Sequence, residues 1–485
     1  MDRKWRALII VCVAIFMLLL DITVVNVALP DIQKELHASF TDLQWVVDAY
    51  ALTLASVVLV AGTLGDMLGR KRVFLSGVAL FTLASALCGA ATSPLFLNLA
   101  RGLQGIGGAI MFAVSLAILS QEFHGKERGT AFGIWGSTIG AAVAIGPLVG
   151  GALTTWLGWR WIFFVNLPIG VLCIVGGLRV LHESRNETHG GLDIFGFVTL
   201  TGGLFSLVLA LLRGNDWGWS SGRVVTLYIL ALVLLVGFYF IERGQREPML
   251  DFSLFRVPTF AGAQIVAFAI SSAMFAQFLY LTLYLQNVLG LSPIQAGLRF
   301  LPLSLVSFFV APVSGRLSAR LPVRFLLGAG LGLVGLALVL MHGVTPSSDW
   351  TTLLPGFVVG GIGIGMVNPP LASTAVSVVP PQRAGMASGV NNTFRQVGIA
   401  TGIAGLGAIF QDTIKSHLHG AGSAQAVASG AVQQGGDIAR AAFIAGLNEI
   451  LLVGAVVAFV GAVLTVLLVR GRDFVASGPP PAAGG

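Results

Sequence analysis

Charge is the property that this sequence has least of. Among its 485 residues only 10% are Asp, Glu, Lys or Arg, whereas 55% are apolar. Soluble domains carry about 25% charged residues, so this composition excludes the soluble class. It predicts an all-α polytopic membrane protein.

Cysteine and clusters of catalytic side chains are scarce too. The three cysteines, Cys12, Cys88 and Cys173, all lie inside apolar runs, which excludes a disulfide framework and a metal-ligand spacing. The seven histidines are scattered, and no nucleophile stands in a motif with a base. We therefore expect neither an enzyme nor a cofactor or metal site.

The sequence also has no basic tail and no polar domain, so its net charge of +7 does not indicate nucleic-acid binding. Positively charged loops on the cytoplasmic side of a membrane explain the excess better. A cleaved secretory signal at residues 1–20 is the competing interpretation of the N-terminus. It fails because the apolar run continues to Pro30 and no small-residue cleavage site ends it.

Long apolar runs are abundant, and about 20 apolar residues suffice for a helix to cross a bilayer. Counting such runs predicts fourteen spans, an even number that puts both termini on one side. The cations near the span ends, such as Arg3, Lys4 and Arg70, cluster on that side, which predicts cytoplasmic termini in the inner (cytoplasmic) membrane. The approximate limits are 7–29, 43–64, 73–92, 95–118, 129–153, 162–181, 193–212, 223–241, 260–284, 294–315, 323–342, 352–376, 385–410 and 441–469.

Two motifs recur at nearly equal offsets. Gly62-x-Leu returns at Gly315, 253 residues later, and the pattern from Arg128 to Gly133 returns from Arg383 to Gly389, 255 to 256 residues later. Equal offsets predict two parallel halves related by an axis along the membrane normal. The expected units are a six-helix bundle at 1–185, two inserted helices at 186–250, a second six-helix bundle at 251–470 and a disordered cytoplasmic tail at 471–485.

Three charges lie inside predicted spans, where each costs several kcal/mol and usually faces protein or water. Asp21 lies roughly 13 Å, Arg101 roughly 10 Å and Asp48 roughly 9 Å below the outer ends of their spans, at 1.5 Å per residue. Their similar depth predicts a proton-coupling group in which Asp21 leaves Arg101 when protonated and recaptures it when ionised. A static ion pair is the alternative for Asp21, and a place in the outer headgroup region is the alternative for Asp48.

The connection between the second and third predicted spans is very short and rich in glycine. Gly62 and Gly69 permit close backbone approach and unusual φ angles. Asp66 lies beside Arg70 at the cytoplasmic helix end, which predicts a latch that closes one conformation on the inside. Ordinary surface charge is the alternative for this pair.

Small residues also mark the fifth predicted span, at Gly146, Gly150 and Gly151. They let a partner helix approach closely, and Pro147 bends or weakens the helix. Packing alone accounts for many such helices, so this pattern by itself does not indicate a function.

Residues that line a cavity cannot be assigned without helix rotations. Gln277, Tyr280 and Tyr284 in the ninth predicted span are candidates because they are polar or aromatic. Arg395 is a candidate contact for anionic substrates, with a pairing to a carbonyl or carboxylate as the alternative. Glu449 in the last span is a further candidate, with a peripheral, solvated place as its alternative.

Together these stretches resemble the major facilitator superfamily. The segment from Gly62 to Arg72 resembles its loop signature, and Leu20-Asp21-x-Thr23-x-x-Asn26-Val-Ala-Leu-Pro30 resembles the first-helix motif of its fourteen-span drug:proton antiporter branch. Further similar stretches are Arg101-Gly-Leu-Gln104-Gly105 on the fourth helix, Gly146-Pro147-x-x-Gly150-Gly151 on the fifth, and Trp159 to Gly170. The second copy of the loop signature departs from the pattern, because no acidic residue lies between Gly315 and Arg320.

The resemblance implies the fold of that family and proton-coupled export of small amphipathic or lipophilic compounds, such as drugs, antibiotics or natural products, by alternating access. It implies that Asp21 and Arg101 couple protons, that Asp48 is a second acid or a contact for cationic substrate, and that Gly62, Asp66, Gly69 and Arg70 form the gate. Gly146 and Pro147 would be a hinge or leak seal.

The implied partners are a small-molecule substrate, protons and the lipid bilayer, for a monomer driven by the proton-motive force alone. A proton symporter that imports a small nutrient is the alternative function. A non-transporting scaffold or sensor is a third.

Overall fold

The computed structural model describes residues 2–185, 193–245, 248–318, 320–418, 427–428 and 436–474. Within these ranges the side chains of residues 40, 126, 143, 144, 147 and 293 are not described. Of the predicted tail at 471–485, a short 3-10 turn at Gly471–Asp473 is described, and 475–485 lie outside the described residues.

Fourteen long helical segments follow one another through the described ranges, and we number them in chain order. They are α1 Arg3–Leu36, α2 Phe40–Leu68, α3 Arg70–Gly89, α4 Pro94–Glu122, α5 Gly125–Leu157, α6 Trp161–Val180, α7 Ile194–Trp217, α8 Gly222–Gly244, α9 Pro258–Val288, α10 Pro293–Leu317, α11 Val323–Met341, α12 Leu354–Ser377, α13 Ala384–Leu418 and α14 Gly436–Leu468.

These segments coincide with the fourteen predicted spans. In the described ranges thirteen are long and apolar enough to cross a membrane, and the remaining one, α5, is 33 residues long. Most helices continue past the apolar run that predicted them. The first covers Arg3–Leu36 instead of 7–29, for example, because backbone hydrogen bonding continues into the polar residues at both ends.

Short turns reverse the chain between neighbouring helices. Gly69 alone separates α2 from α3, and its φ of 110° lies in a backbone region that residues other than glycine rarely adopt. Ser39 and Asp42 form a capping box that starts α2. We call the side of the bundle with Arg3 and Arg70 the terminal face, and the side with the opposite ends of α1 and α3 the distal face.

Buried apolar side chains form two main clusters. The first contains residues between Ala263 and Val469. The second contains residues between Ala7 and Leu181, together with a few residues of α12 and α13. Helices α7 and α8 pack on each other, and α7 also contacts α2 and α13. The predicted fold, two bundles with two extra helices, is therefore confirmed.

The repeated motifs meet across the two bundles in reciprocal pairs. Gly62 of α2 lies against Gly385 of α13, and Gly129 of α5 lies against Gly315 of α10. In each pair, a Cβ on either glycine would collide with the backbone carbonyl oxygen of the other. Since 315 is the repeat partner of 62, and 385 that of 129, the same close contact is made twice.

Helix α9 is not a regular α-helix. It contains two π-helical turns, Ser271–Phe275 and Tyr284–Val288. Such turns occur frequently at functional sites. Gly398 of α13 packs against Phe268 and Ser271, so α13 lies close to the π-helical turn Ser271–Phe275.

Candidate functional site

Asp21 and Arg101 form a buried ion pair in the middle of the first bundle. Arg101 Nη1 lies 2.5 Å from Asp21 Oδ2. Arg101 is only 1% exposed and Asp21 only 2% exposed. The first and fourth helices are therefore joined by opposite charges, as expected from their similar depth.

Two amides complete the surroundings of the Asp21 carboxylate. Gln104 Nε2 and Asn166 Nδ2 both donate to Oδ1, at 2.9 and 3.2 Å. The hydroxyl of Ser85 accepts from the same two amides, at 3.2 and 3.0 Å. Side chains of α4 and α6 thus meet at the carboxylate of α1, and Ser85 of α3 joins the two amides to each other.

The Arg101 guanidinium is also tied to α2. Its Nε donates to the carbonyl oxygen of Val46 at 3.0 Å, and its Cζ lies 4.3 Å from the ring centroid of Tyr50. Ser85 and Tyr50 were missed by sequence reasoning, because a serine or tyrosine in an apolar span carries no distinguishing signal. Gln104 and Asn166 entered only as members of motifs.

The glycines of α5 bring that helix against the same region of α1. A Cβ on Gly146 would collide with Thr23, two residues from Asp21, and one on Gly150 would lie 3.1 Å from Val24. Gly151 faces Ile294 of α10. Helix α5 therefore touches the Asp21 helix on one side and the second bundle on the other. The side chain of Pro147 lies outside the described residues.

Asp48, the third charge predicted at this depth, forms its ion pair with a different arginine. Its Oδ2 lies 3.0 Å from Arg213 Nη2 of α7. The predicted span 193–212 ends one residue before Arg213, but α7 continues to Trp217 and packs on α2, so Arg213 is only 2% exposed. Its guanidinium also contacts Asp216, Gln44 and the Trp45 ring.

Asp66 joins the two bundles at the terminal face. Its Oδ1 accepts from Arg70 Nη2 at 2.8 Å and from the backbone N–H of Gly385 at 3.0 Å. Its Oδ2 accepts from the N–H of Met386 at 2.8 Å. One carboxylate therefore binds both the arginine of its own bundle and the first turn of α13, where the helix dipole favours an anion.

The other residues of the predicted gate also take part in this arrangement. Arg70 Nη2 donates to the carbonyl oxygen of Pro381 at 2.5 Å, which adds a second link to the far bundle. Gly69 lies against the carboxylate of Glu183, which accepts from the N–H groups of Lys71 and Arg72. A side chain at position 69 would displace Glu183 from the start of α3.

Asp66 lies beside the contact between Gly62 and Gly385, but the sequence has no carboxylate at the equivalent position beside the contact between Gly129 and Gly315. The repeat partner of Asp66 is position 319, an alanine that lies outside the described residues. The second copy of the loop signature therefore lacks its acidic residue at the position where Asp66 of the first copy makes hydrogen bonds across the bundles.

Three candidate cavity residues of α9 are packed in the second bundle. Gln277 donates to the carbonyl oxygen of Ile450 at 2.6 Å, and the Tyr280 hydroxyl donates to that of Ile403 at 2.8 Å. Tyr284 is fully buried and contacts the carbonyl oxygen of Ser348 at 3.5 Å. In this conformation these side chains join helices and do not line an open cavity.

The two remaining candidates differ from each other. Arg395 is buried in α13, and its Nη2 donates to Asn368 Oδ1 of α12 at 3.0 Å. Glu449 is exposed on α14. The alternative interpretation of Glu449, a peripheral and solvated place, therefore fits this conformation, whereas Arg395 points into the protein.

A small space between the bundles is lined mainly by apolar side chains. Its volume is about 20 Å³, and Ile139 of α5 and Phe275 of α9 lie on its wall. Sites for drug-sized ligands have roughly 300–1,000 Å³. The structure therefore represents a conformation in which this space is closed and must widen before it can hold a substrate.

Comparisons with known proteins identify the family. The sequence profile of the Major Facilitator Superfamily matches residues 11–403. A multidrug resistance protein of Mycobacterium tuberculosis is 37% identical over 83% of this chain and 76% of its own length. A puromycin resistance protein of Streptomyces alboniger is 36% identical over 94% of this chain and 91% of its own.

Two further matches agree. A tetracenomycin C resistance and export protein of Streptomyces glaucescens is 36% identical over 85% of this chain and 77% of its own length. The crystal structure of a human organic anion transporter covers 96% of this chain and 100% of its own with a TM-score of 0.67, and at 15% identity this likeness shows the fold alone. The chain therefore belongs to the Major Facilitator Superfamily and is a transporter, not an enzyme.

Proposed function

We propose that this transporter exports small amphipathic or lipophilic compounds, such as drugs, antibiotics or natural products, in exchange for protons. The relatives named above are resistance or export proteins for multiple drugs, puromycin and tetracenomycin C. They match most of the chain, so their common activity is the best guide to this one. The family match and the drug-export names favour efflux over the import of a nutrient.

The observation that carries the proton coupling is the buried ion pair of Asp21 and Arg101. A carboxylate sealed inside spanning helices is expensive to keep and is commonly part of an ion or proton pathway. A proton on Asp21 cancels its charge and removes most of the attraction to Arg101. The guanidinium then keeps Gln104 and the Val46 carbonyl as partners, so the pair can separate without leaving Arg101 unsatisfied.

Separation of this pair has a direct route to the rest of the fold. Asp21 lies on α1 beside Thr23, which packs on Gly146 of α5. The other side of α5 faces α10 of the second bundle from Gly129 to Gly151. A shift of α1 that accompanies protonation would therefore move the contact surface between the bundles, as alternating access requires.

The gate at the terminal face sets which side is closed. Asp66 and Arg70 together make hydrogen bonds to Gly385, Met386 and Pro381 of the other bundle. An inward-facing state must break these bonds, so the described conformation is closed at that face. We assign Asp66 to gating and Asp21 to protons because only Asp66 bonds across the two bundles.

We place the transporter in the cytoplasmic membrane as a monomer with both termini in the cytoplasm, driven by the proton-motive force without a cofactor. The proposed units are 1–185, 186–250 and 251–470, followed by a tail at 471–485. Asp48 acts with Arg213 near the distal face and not with Asp21.

Transport into everted membrane vesicles with an imposed proton gradient tests this function. We expect the wild type to accumulate rhodamine 6G, a lipophilic cation, and Asp21→Asn to abolish this accumulation. Asp31→Asn is the matched control, because Asp31 is exposed on the same helix. Accumulation by Asp21→Asn equal to that of the wild type would remove Asp21 from the mechanism, and accumulation only in right-side-out vesicles would identify an importer.

A further inference from the structure

Arg395 differs from every other buried arginine in the described part of the chain. Four arginines are buried there, namely Arg70, Arg101, Arg213 and Arg395. The first three lie 2.8, 2.5 and 3.0 Å from an aspartate oxygen. For Arg395 the described residues supply no carboxylate at ion-pair distance, and its hydrogen-bond partner is the amide of Asn368.

The position of Arg395 makes this unusual. It lies eleven residues into α13, roughly 16 Å from the terminal end of that helix and so near the middle of the membrane. A guanidinium has five N–H donors, and one nitrogen is used here for a neutral oxygen. A charged group left in this state within a membrane is destabilising unless another group neutralises it during function.

An apolar space lies one helical turn away. Asn368 follows Ile364 by four residues, so both side chains are on the same face of α12. Ile364 lines the small space between the bundles together with Phe275, Phe278 and Leu303. A buried guanidinium and an aromatic-lined space are thus both beside this face of α12.

The same region can change shape. Phe275 ends the π-helical turn Ser271–Phe275 of α9, and Gly398, three residues after Arg395, packs on the start of that turn. Ile139, which also lines this space, belongs to the first bundle. Movement of the two bundles apart would therefore enlarge the space beside Arg395.

We propose that Arg395 and Asn368 bind the anionic group of the substrate, while its apolar rings occupy the space lined by Phe275, Phe278 and Ile364. Lipophilic organic anions, in which a carboxylate or phenolate is attached to a ring system, are therefore a class of substrate bound through Arg395, in addition to lipophilic cations such as rhodamine 6G that do not need this charge. This inference rests on the proposed export function, because it assigns a substrate class of that same transporter. The guanidinium would supply the charge and two parallel N–H donors that a carboxylate accepts.

Two xanthene dyes of similar size provide the test, fluorescein as the anion and rhodamine 6G as the cation. Their dissociation constants are measured by fluorescence polarisation on the purified full chain. We expect Arg395→Gln to weaken fluorescein binding about tenfold or more, since a hydrogen bond to a charged group is lost. Binding of rhodamine 6G should be unchanged, and Arg395→Lys should retain part of the fluorescein affinity.

Arg223→Gln is the control, because it removes the same charge from an exposed position. It should leave the binding of both dyes unchanged. Equal weakening of both dyes by Arg395→Gln would mean that Arg395 has a structural role, and wild-type binding of fluorescein no tighter than that of Arg395→Gln would also overturn the proposal.

A separate result would contradict the export function without contradicting the anion site. A chain that binds fluorescein through Arg395, but moves neither dye into everted vesicles under a proton gradient, contradicts export and leaves the anion site intact. Asp21→Asn should abolish the movement of both dyes while leaving the binding of fluorescein unchanged.

Discussion

The carboxylate of Asp66 on α2 accepts a 3.0 Å hydrogen bond from the backbone N–H of Gly385 on α13, in the other bundle. Hydrogen bonds to charged groups contribute about 1.5–3 kcal/mol each. Asp66→Asn should therefore raise the population that is open at the terminal face about tenfold or more. Maleimide labelling of Ser388→Cys measures this, because Ser388 is fully buried and the native cysteines are buried as well.

Glu127→Gln is the control for that measurement. Glu127 is exposed on the same face and pairs with Lys4 at 2.7 Å, within one bundle. It should leave the labelling rate unchanged. If Asp66→Asn labels no faster than the wild type, Asp66 does not hold the gate closed.

The reciprocal glycine contacts predict two variants with the same effect. A Cβ on Gly62 or on Gly129 would collide with a backbone carbonyl oxygen of the other bundle, and overpacking of this kind costs about 1–3 kcal/mol. Gly62→Ala and Gly129→Ala should each speed labelling of Ser388→Cys and reduce dye transport. Gly237→Ala on α8 meets no atom within 4 Å, so it should behave as the wild type. Wild-type transport by both contact variants would contradict the close approach.

Asp48 and Arg213 should be energetically coupled, whereas Asp48 and Arg101 should not. Removal of one partner from a buried ion pair leaves an uncompensated charge, and a double-mutant cycle isolates the pair. We expect Asp48→Asn and Arg213→Gln together to cost less than the sum of the single changes in thermal unfolding of the detergent-solubilised protein. Additive losses for that pair, or coupling between Asp48→Asn and Arg101→Gln, would contradict the pairing of Asp48 with Arg213 and favour a role for Asp48 beside Arg101.

Asp251 should not contribute to the pH dependence of transport. Partial burial acts to raise its pKa, but hydrogen bonds from Ser253 and Arg383 outweigh burial and leave the pKa below the ordinary value of 3.8. A depressed pKa stabilises the folded state above the unfolded value, and this stabilisation is lost only as pH falls through the folded pKa, here below 3.8. When the transport rate is measured between about pH 6 and pH 8, Asp251→Asn should therefore not change the pH at which the rate is half-maximal. A shifted midpoint would place Asp251 in the proton pathway.

Much of this fold could be predicted from sequence because lipid imposes a simple rule on the chain. Apolar runs of sufficient length become helices, and a charge inside one must find a partner, so the pairing of Asp21 with Arg101 followed from their depths. The partner of Asp48 could not be predicted in this way. Depth is set by position along a helix, whereas contact also needs the rotation of the helix and its neighbours.

The errors have the same origin. The predicted span 193–212 leaves Arg213 out because the apolar run stops at Leu212, but α7 continues to Trp217 and packs on α2. The repeat was visible from two nearly equal offsets, yet the reciprocal contacts of Gly62 and Gly129 were not. Those contacts depend on how the bundles face each other. The π-helical turns of α9 likewise leave no pattern in the sequence.

Proton release tests the central claim most directly. When rhodamine 6G is added to the purified chain in weakly buffered solution, the exchange of substrate for a proton predicts acidification by the wild type and by Asp31→Asn. Asp21→Asn should bind the dye and release no protons. Proton release by Asp21→Asn equal to that of the wild type would contradict the account.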